Sequence, residues 1–280
     1  MHPAVAAFQR YREQEMTDRA AALTYFAMLS LFPSVLVGVT LLGLLGQQGL
    51  VEDATNYLLE HGADESTADV IRKTLQSMIN AHSGALGVTL LVSIALALNG
   101  ASGAFGAAGR ALDVAYGVEA DRGAVRRKLT DLATALVVIV LFAVVTVAVF
   151  LGGQIAHDLF GKIGLGDTAA QIWSLVRWPV ALAAAMLGNS IVYRFAPDAR
   201  PPVVGWISVG AVVAVALWLA ASVGFSFYLR NFATYGAVYG AFGAAIVLLL
   251  WLYISANAFL FGAELDAVRQ PSSRSVSSGG

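Results

Sequence analysis

Residues 239–262 read YGAFGAAIVLLLWLYISANAFLFG, a run without a single charged side chain. A helix needs about 20 mostly apolar residues to cross the hydrocarbon core of a bilayer, and this run is long enough. Its apolar residues are continuous rather than alternating, which indicates a membrane helix and not a strand of a barrel. The segment therefore predicts the fold class, an all-α polytopic membrane protein.

The composition of the whole chain agrees with a membrane protein. Of the 280 residues, 58% are hydrophobic and only 12% are charged, whereas soluble domains carry about 25% charged residues. The 17 basic and 18 acidic residues give a net charge of −1, so the chain lacks the basic excess that nucleic-acid binding needs. The chain has no cysteine, which excludes thiolate metal sites and a cysteine nucleophile.

Five further charge-poor runs predict the remaining spans. Together the six predicted transmembrane helices cover residues 22–46, 84–109, 132–153, 172–193, 203–227 and 239–262. They form a single predicted membrane domain over residues 1–269, and the Ser/Gly-rich residues 270–280 are predicted to be a flexible cytoplasmic tail. The first 20 residues contain no apolar region of the signal-peptide type, so we expect the first span to act as the insertion signal.

The distribution of basic residues predicts the orientation of the chain. Twelve lysines and arginines fall on the N-terminus, the second and fourth loops and the tail, and five fall on the alternate segments. Because basic residues accumulate on the cytoplasmic side, both termini are predicted to be cytoplasmic. The expected location is the bacterial cytoplasmic (inner) membrane.

The segment between the first two spans, residues 47–83, is predicted to be a short extracytoplasmic helical hairpin. Its first half carries apolar residues at helical spacing, namely Val51, Ala54, Tyr57 and Leu58. Ser66 and Asp69 form a capping box that opens a second helix. Two interpretations stay open: an amphipathic cap on the mouth of the bundle, or a lid or partner site.

Polar side chains and one proline inside the predicted spans are the candidate site residues, because polar groups at membrane depth are costly unless they are used. The cavity candidates are Ser30, Pro33, Asn99, Asn189 and Asn257. The three amides either line a cavity or hydrogen-bond one helix to another. Pro33 either acts as a hinge or sets a static kink.

Four charged residues are predicted at the cytoplasmic interface: Asp131, Arg194, Glu264 and Asp266. They form either a structural ion-pair cluster or a site for a head group or a coupling ion. No acid or base falls at the middle of a predicted span, which weakens a proton-coupled mechanism.

Catalytic signatures are missing from the sequence. The four histidines are scattered in tails and loops, and no HExxH, GxSxG or GxxxxGK[ST] motif occurs. The sequence therefore predicts no enzyme, no cofactor and no metal site.

Three stretches are distinctive: AALTYFAMLSLFPSVLVGVTLLGLLG at 21–46, AYGVEADRGAVRRKLTDL at 115–132 and TYGAVYGAFGAAIVLLLWLYISANAFLFGAELDAV at 234–268. Together they resemble the YihY/virulence factor BrkB family of inner-membrane proteins. The resemblance implies six spans and supplies no catalytic residue; Asp266 stands where asparagine is expected in many relatives. The family's older label, ribonuclease BN, implies a metal cluster or an acid–base pair in water, together with a basic RNA groove, and the sequence shows neither requirement.

The predicted function is transport or flipping of a lipid or amphipathic envelope component, with membrane lipids as the partners. The alternative is a non-catalytic scaffold or assembly partner that binds another envelope protein through the external hairpin. A ribonuclease ranks last and no nucleic-acid partner is expected. A homo-oligomer is left open.

Overall fold

The computed structural model describes residues 2–44, 83–118, 123–150, 166–198, 208–232 and 236–269, together with single positions between 52 and 73. All regular secondary structure in this part of the chain is helical, as predicted. The helices are α1 (Pro3–Glu13), α2 (Met16–Leu44), α3 (Ser83–Tyr116), α4 (Ala124–Phe150), α5 (Gly166–Phe195), α6 (Val209–Phe232) and α7 (Gly236–Arg269).

Four of these helices contain a stretch that is long and apolar enough to cross a membrane. The stretches are Leu91–Tyr116 in α3, Gln171–Phe195 in α5, Val209–Leu229 in α6 and Ala245–Arg269 in α7. The helices expose many large apolar side chains, with 75% of Leu175 accessible. An apolar surface of this extent belongs in lipid, so the prediction of a membrane protein is confirmed. That α2 and α4 also cross the membrane stays a prediction, and so does the total of six membrane-spanning helices.

Several helices are longer than the predicted spans. Helix α4 begins at Ala124 instead of 132, α3 continues to Tyr116 instead of 109, and α7 continues to Arg269 instead of 262. The additional turns carry charged side chains, and the predicted bounds are set by the charge-poor runs between such residues.

Two helix ends are fixed by local capping. The hydroxyl of Ser208 accepts a hydrogen bond of 2.9 Å from the backbone N–H of Ala211, so α6 begins later than the predicted 203. Helix α3 ends in a Schellman motif, in which the N–H of Val118 donates to the carbonyl of Asp113 at 2.8 Å. The intervening Gly117 has a φ of 63°, a conformation that favours glycine.

A short helix that the sequence analysis did not predict, α1, precedes the first long helix. His2 caps its N-terminus and Pro3 occupies the first turn, where a missing N–H costs little. Glu15, with a φ of 53°, separates α1 from α2. Helix α1 packs against α7 through a face that contains the buried side chains of Ala7 and Tyr11.

The contacts divide the chain into two compact units. The first unit comprises residues 1–25 and 102–280, and the second comprises residues 26–101. In the first unit α6 packs along α7, and α5 contacts both α4 and α6. In the second unit α2 and α3 approach so closely that a Cβ atom on Gly100 would lie 2.8 Å from the Cα of Ser30. The predicted tail 270–280 and most of the predicted hairpin lie outside the described residues.

Candidate functional site

Polar side chains from many helix ends meet in the first unit. They come from α1, from the C-terminal ends of α3, α5 and α7, and from the N-terminal ends of α4 and α6. We call this group, together with the backbone N–H of Gly210, the end cluster. Its side chains are those of Arg10, Tyr11, Gln14, Asp113, Arg127, Tyr193, Ser208, Asn257, Glu264 and Asp266.

The centre of the end cluster is Glu264, whose side chain is fully buried (0% exposed). The Nε of Arg10 donates to Oε2 of Glu264 at 3.1 Å, and Nη2 of Arg10 donates to the carbonyl of Ala115 at 2.6 Å. The Gln14 amide, in the orientation that satisfies its hydrogen bonds, donates to Oε1 of Glu264 at 2.8 Å. The carboxylate therefore has a cation on one oxygen and an amide on the other, which compensates for its burial.

The next residue of α1, Tyr11, binds a different level of α7. Its hydroxyl donates to Oδ1 of Asn257, and Nδ2 of Asn257 donates to the carbonyl of Tyr253 at 2.6 Å. The ring of Tyr11 packs against Phe261 with a centroid distance of 6.1 Å. Burial, and then the neighbouring Tyr253 and Glu264, raise the pKa of the Tyr11 phenol. The phenol is therefore a neutral donor at physiological pH.

A second ion pair joins α3, α4 and the end of α5. Nη2 of Arg127 lies 2.7 Å from Oδ2 of Asp113, and both side chains are largely buried. The other oxygen, Oδ1 of Asp113, accepts a hydrogen bond of 2.6 Å from the backbone N–H of Asp198. One carboxylate thus fixes three chain segments.

Helices α6 and α7 meet with their backbones in contact. A Cβ atom on Gly210 would overlap the carbonyl of Gly262, and the reverse is also true. Asp266 accepts a hydrogen bond of 2.7 Å from the N–H of Gly210, which places a carboxylate at the positive N-terminal end of α6. Tyr193 of α5 donates to the carbonyl of Phe259. The backbone contact between α6 and α7 requires glycine at both position 210 and position 262.

The four charges predicted at one interface are held in different ways. Glu264 pairs with Arg10, and Asp266 binds the N-terminus of α6. Asp131 is buried on α4, and the guanidinium of Arg194 lies 5.7 Å from the centre of the following residue's ring.

The five cavity candidates fall in the two different units. Ser30, Pro33 and Asn99 belong to the second unit, and Asn189 and Asn257 belong to the first. The hydroxyl of Ser30 and the amide of Asn189 each donate at 2.8 Å to a carbonyl one turn earlier in their own helix. Helix α2 continues through Pro33, and the side chain of Asn99 is exposed. The shared cavity stays a prediction.

The residues that complete the end cluster are not among the predicted site residues. Arg10 and Tyr11 lie in the N-terminal segment, whose basic residues predict only the orientation of the chain. Asp113 and Arg127 lie just outside predicted spans, and the acid in the stretch GRALDVAYG was a visible signal. Their partners were not readable, because each pairing depends on which helices are neighbours.

The end cluster holds helix ends together through charge and hydrogen bonding. Among the residues that the structure describes, no three His, Asp or Glu side chains are grouped so that they could hold a metal ion. Within the same residues, Oδ2 of Asp266 and the hydroxyl of Tyr116 are buried without a hydrogen bond.

Comparisons with known proteins agree with this description of a membrane protein. A family model described as Virulence factor BrkB matches residues 7–279. A ribonuclease-like protein, YfkH, of Bacillus subtilis is 30% identical over 261 residues, which cover 93% of this chain and 92% of that protein. A UPF0761 membrane protein of Alteromonas mediterranea is 26% identical over 259 residues, covering 91% and 83% of the two chains.

One relative is considerably longer. A UPF0761 membrane protein of Alkalilimnicola ehrlichii is 28% identical over 265 residues, which are 91% of this chain and 55% of that protein. This chain therefore spans about half the length of that relative. No solved structure matches the chain.

Proposed function

We propose, from the premise that this chain belongs to the virulence factor BrkB family of membrane proteins, that it moves a lipid or an amphipathic envelope component across the bacterial cytoplasmic membrane. The observation that supports the proposal most is a polar patch in the second unit, on helices that are otherwise apolar. The patch consists of Ser30, Pro33, Ser34, Asn99 and Gly100.

The close approach of α2 and α3 brings the members of this patch together. Gly100 faces the backbone of Ser30, three residues before Pro33, and Asn99 precedes Gly100 on α3. Pro33 has no N–H to donate, which weakens the helix at this turn. The hydroxyl of Ser34 donates to the carbonyl of Ser30 at 2.7 Å and keeps its acceptor capacity for another group.

A polar patch at this position supports lipid movement for a physical reason. A head group that crosses hydrocarbon loses its hydrogen bonds with water, and the transfer of one amide or hydroxyl without a replacement bond costs about 2–7 kcal/mol. Side chains that replace those bonds lower the barrier. Asn257 does not belong to this patch, because it lies in the first unit, where Tyr11 donates to its Oδ1 and its Nδ2 donates to the carbonyl of Tyr253.

The test is a lipid-flipping assay with the purified protein in vesicles that contain a fluorescent phospholipid, bleached from outside with dithionite. We expect Asn99→Leu and Ser34→Ala to slow flipping at least about fivefold, which corresponds to about 1 kcal/mol in the barrier. The matched control is Ser226→Ala, because Ser226 is also exposed and also donates to a carbonyl one turn earlier in its own helix, at 2.8 Å. Equal rates for Ser34→Ala and Ser226→Ala, or no flipping by the wild type, would overturn the proposal.

Two other functions are the alternatives if the wild type moves no lipid. The first is the predicted scaffold, which binds another envelope protein through residues 47–83. Ribonuclease activity, which the name of the Bacillus relative suggests, is the least favoured outcome, because the described acids of the end cluster are bound to arginine or to backbone N–H groups.

The proposed topology has six spans, with α2 and α4 as the additional two and both termini in the cytoplasm. The basic residues at the start of α4 support this orientation. Fusions of alkaline phosphatase after Arg269 and within residues 47–83 test the topology. We expect an inactive fusion at the first position and an active one at the second. The reverse pattern would mean that the chain has the opposite orientation in the membrane.

A further inference from the structure

The first two turns of α4 carry three consecutive basic residues that point in different directions. Arg127 turns inward and binds Asp113 at 2.7 Å, with 19% of its side chain exposed. Arg126 and Lys128, on either side of it in sequence, are both exposed. Three neighbouring cations are thus divided between one buried pair and two surface positions.

The exposed pair flanks an apolar stripe. Val125 is 75% exposed and Leu129 is 62% exposed, and residues four apart lie on the same face of a helix. Because each residue advances about 100° around the axis, Arg126 and Lys128 project about 80° to either side of this stripe. The buried Arg127 lies on the opposite side of the helix. The surface is therefore two cations with two aliphatic side chains between them.

The same stripe continues along α4 toward the apolar part of the helix. Leu136 and Val140 are 44% and 61% exposed on the same face as Leu129. The opposite face is buried at Asp131 and Thr134. An apolar face that begins between two cations and continues for several turns matches a phospholipid, whose phosphate lies at the head-group level and whose acyl chains extend into the membrane.

We propose that Arg126 and Lys128 bind the phosphate of an anionic phospholipid whose acyl chain lies along Val125 and Leu129. The guanidinium of Arg126 supplies a fork of N–H donors that fits two phosphate oxygens, and Lys128 adds a second positive charge. A soluble nucleic acid does not fit this surface, because apolar side chains separate the cations and continue into the span. The proposal requires that α4 enters the membrane, and it does not depend on lipid movement.

The test is native mass spectrometry of the protein in nanodiscs that contain phosphatidylglycerol and an excess of phosphatidylcholine. We expect wild-type protein to retain phosphatidylglycerol and the variant Arg126→Gln/Lys128→Gln to retain about tenfold less. The matched control is Arg72→Gln/Lys73→Gln, which removes the same charge from two adjacent residues that already pair with Asp69 at 3.1 and 3.6 Å. The control is expected to bind lipid like the wild type.

Two further arms separate the explanations. The exchange Arg126→Lys/Lys128→Arg keeps both charges and is expected to keep the lipid. Retention by this variant would show that the loss in the glutamine variant comes from the missing charges and not from substitution at these positions. Excess inorganic phosphate is expected to leave the bound lipid in place, because it cannot use the apolar stripe; displacement by phosphate alone would mean an ordinary anion site. The proposal is overturned if the glutamine variant of α4 retains as much phosphatidylglycerol as the control. Failure of flipping with intact lipid retention would instead count only against the proposed function.

Discussion

Replacing Arg10 by methionine is expected to leave the fully buried carboxylate of Glu264 without its cation. Removing one partner of a buried ion pair costs about 3–5 kcal/mol. Arg10 itself is 37% exposed, and Gln14 still donates to the other carboxylate oxygen, so we expect the lower end, about 3 kcal/mol. The loss includes the hydrogen bond of 2.6 Å to the carbonyl of Ala115 near the end of α3.

The second half of this prediction is a rescue. Adding Glu264→Gln to Arg10→Met removes the buried charge, so the double variant is expected to recover about 1–2 kcal/mol of the loss. The free energy of unfolding is measured in mixed micelles by titration with SDS, followed by tryptophan fluorescence. Arg12→Met is the control, because Arg12 lies on the same helix but is exposed. The reasoning would be refuted if Arg10→Met lowered the free energy of unfolding no more than the control does. It would also be refuted if the double variant were less stable than Arg10→Met alone.

The remaining predictions use the same unfolding measurement. Gly210→Ala is expected to prevent stable packing of α6 on α7, since its Cβ would overlap the carbonyl of Gly262, whereas Gly224→Ala has nothing within 4 Å and is expected to be neutral or stabilising; a stable Gly210→Ala protein would argue against the backbone contact. Tyr193→Phe removes the bond from a fully buried hydroxyl to a backbone carbonyl and is expected to cost about 1 kcal/mol; a change below the error of the titration would count against that bond. Ser102→Ala deletes a buried hydroxyl that makes no hydrogen bond within the described residues and is expected to raise stability by up to about 1 kcal/mol; a clear loss would mean that the hydroxyl has a partner.

The membrane helices could be predicted from sequence because one physical signal defines them. A charged group in hydrocarbon is costly, so charge-poor runs locate the apolar part of α3, α5, α6 and α7. The same signal misses polar helical turns, as at Ala124 and Arg269, because water and head groups accept them. Helix α1 was missed because only two of its side chains, Ala7 and Tyr11, are buried.

The candidate site was predictable only as a list of residue types. Burial cost identifies Glu264 and Asp266 as groups that need partners, but it does not choose the partners. Glu264 pairs with Arg10, which lies 254 residues away in the chain, and Asp266 binds a backbone N–H that has no side-chain signature. Such choices follow from which helices are neighbours, and a single sequence does not contain that information.

The attachment of α1 to α7 has a consequence for biosynthesis. Arg10 is synthesised 254 residues before Glu264. At about 5–20 residues per second, the N-terminal helix waits roughly 13 to 50 s for its binding site. During that interval α7 does not yet exist, so Arg10 and Tyr11 lack their partners Glu264 and Asn257. The contacts of Arg10 and Tyr11 with α7 therefore form only after α7 has been synthesised, and a chain truncated before α7 never makes them.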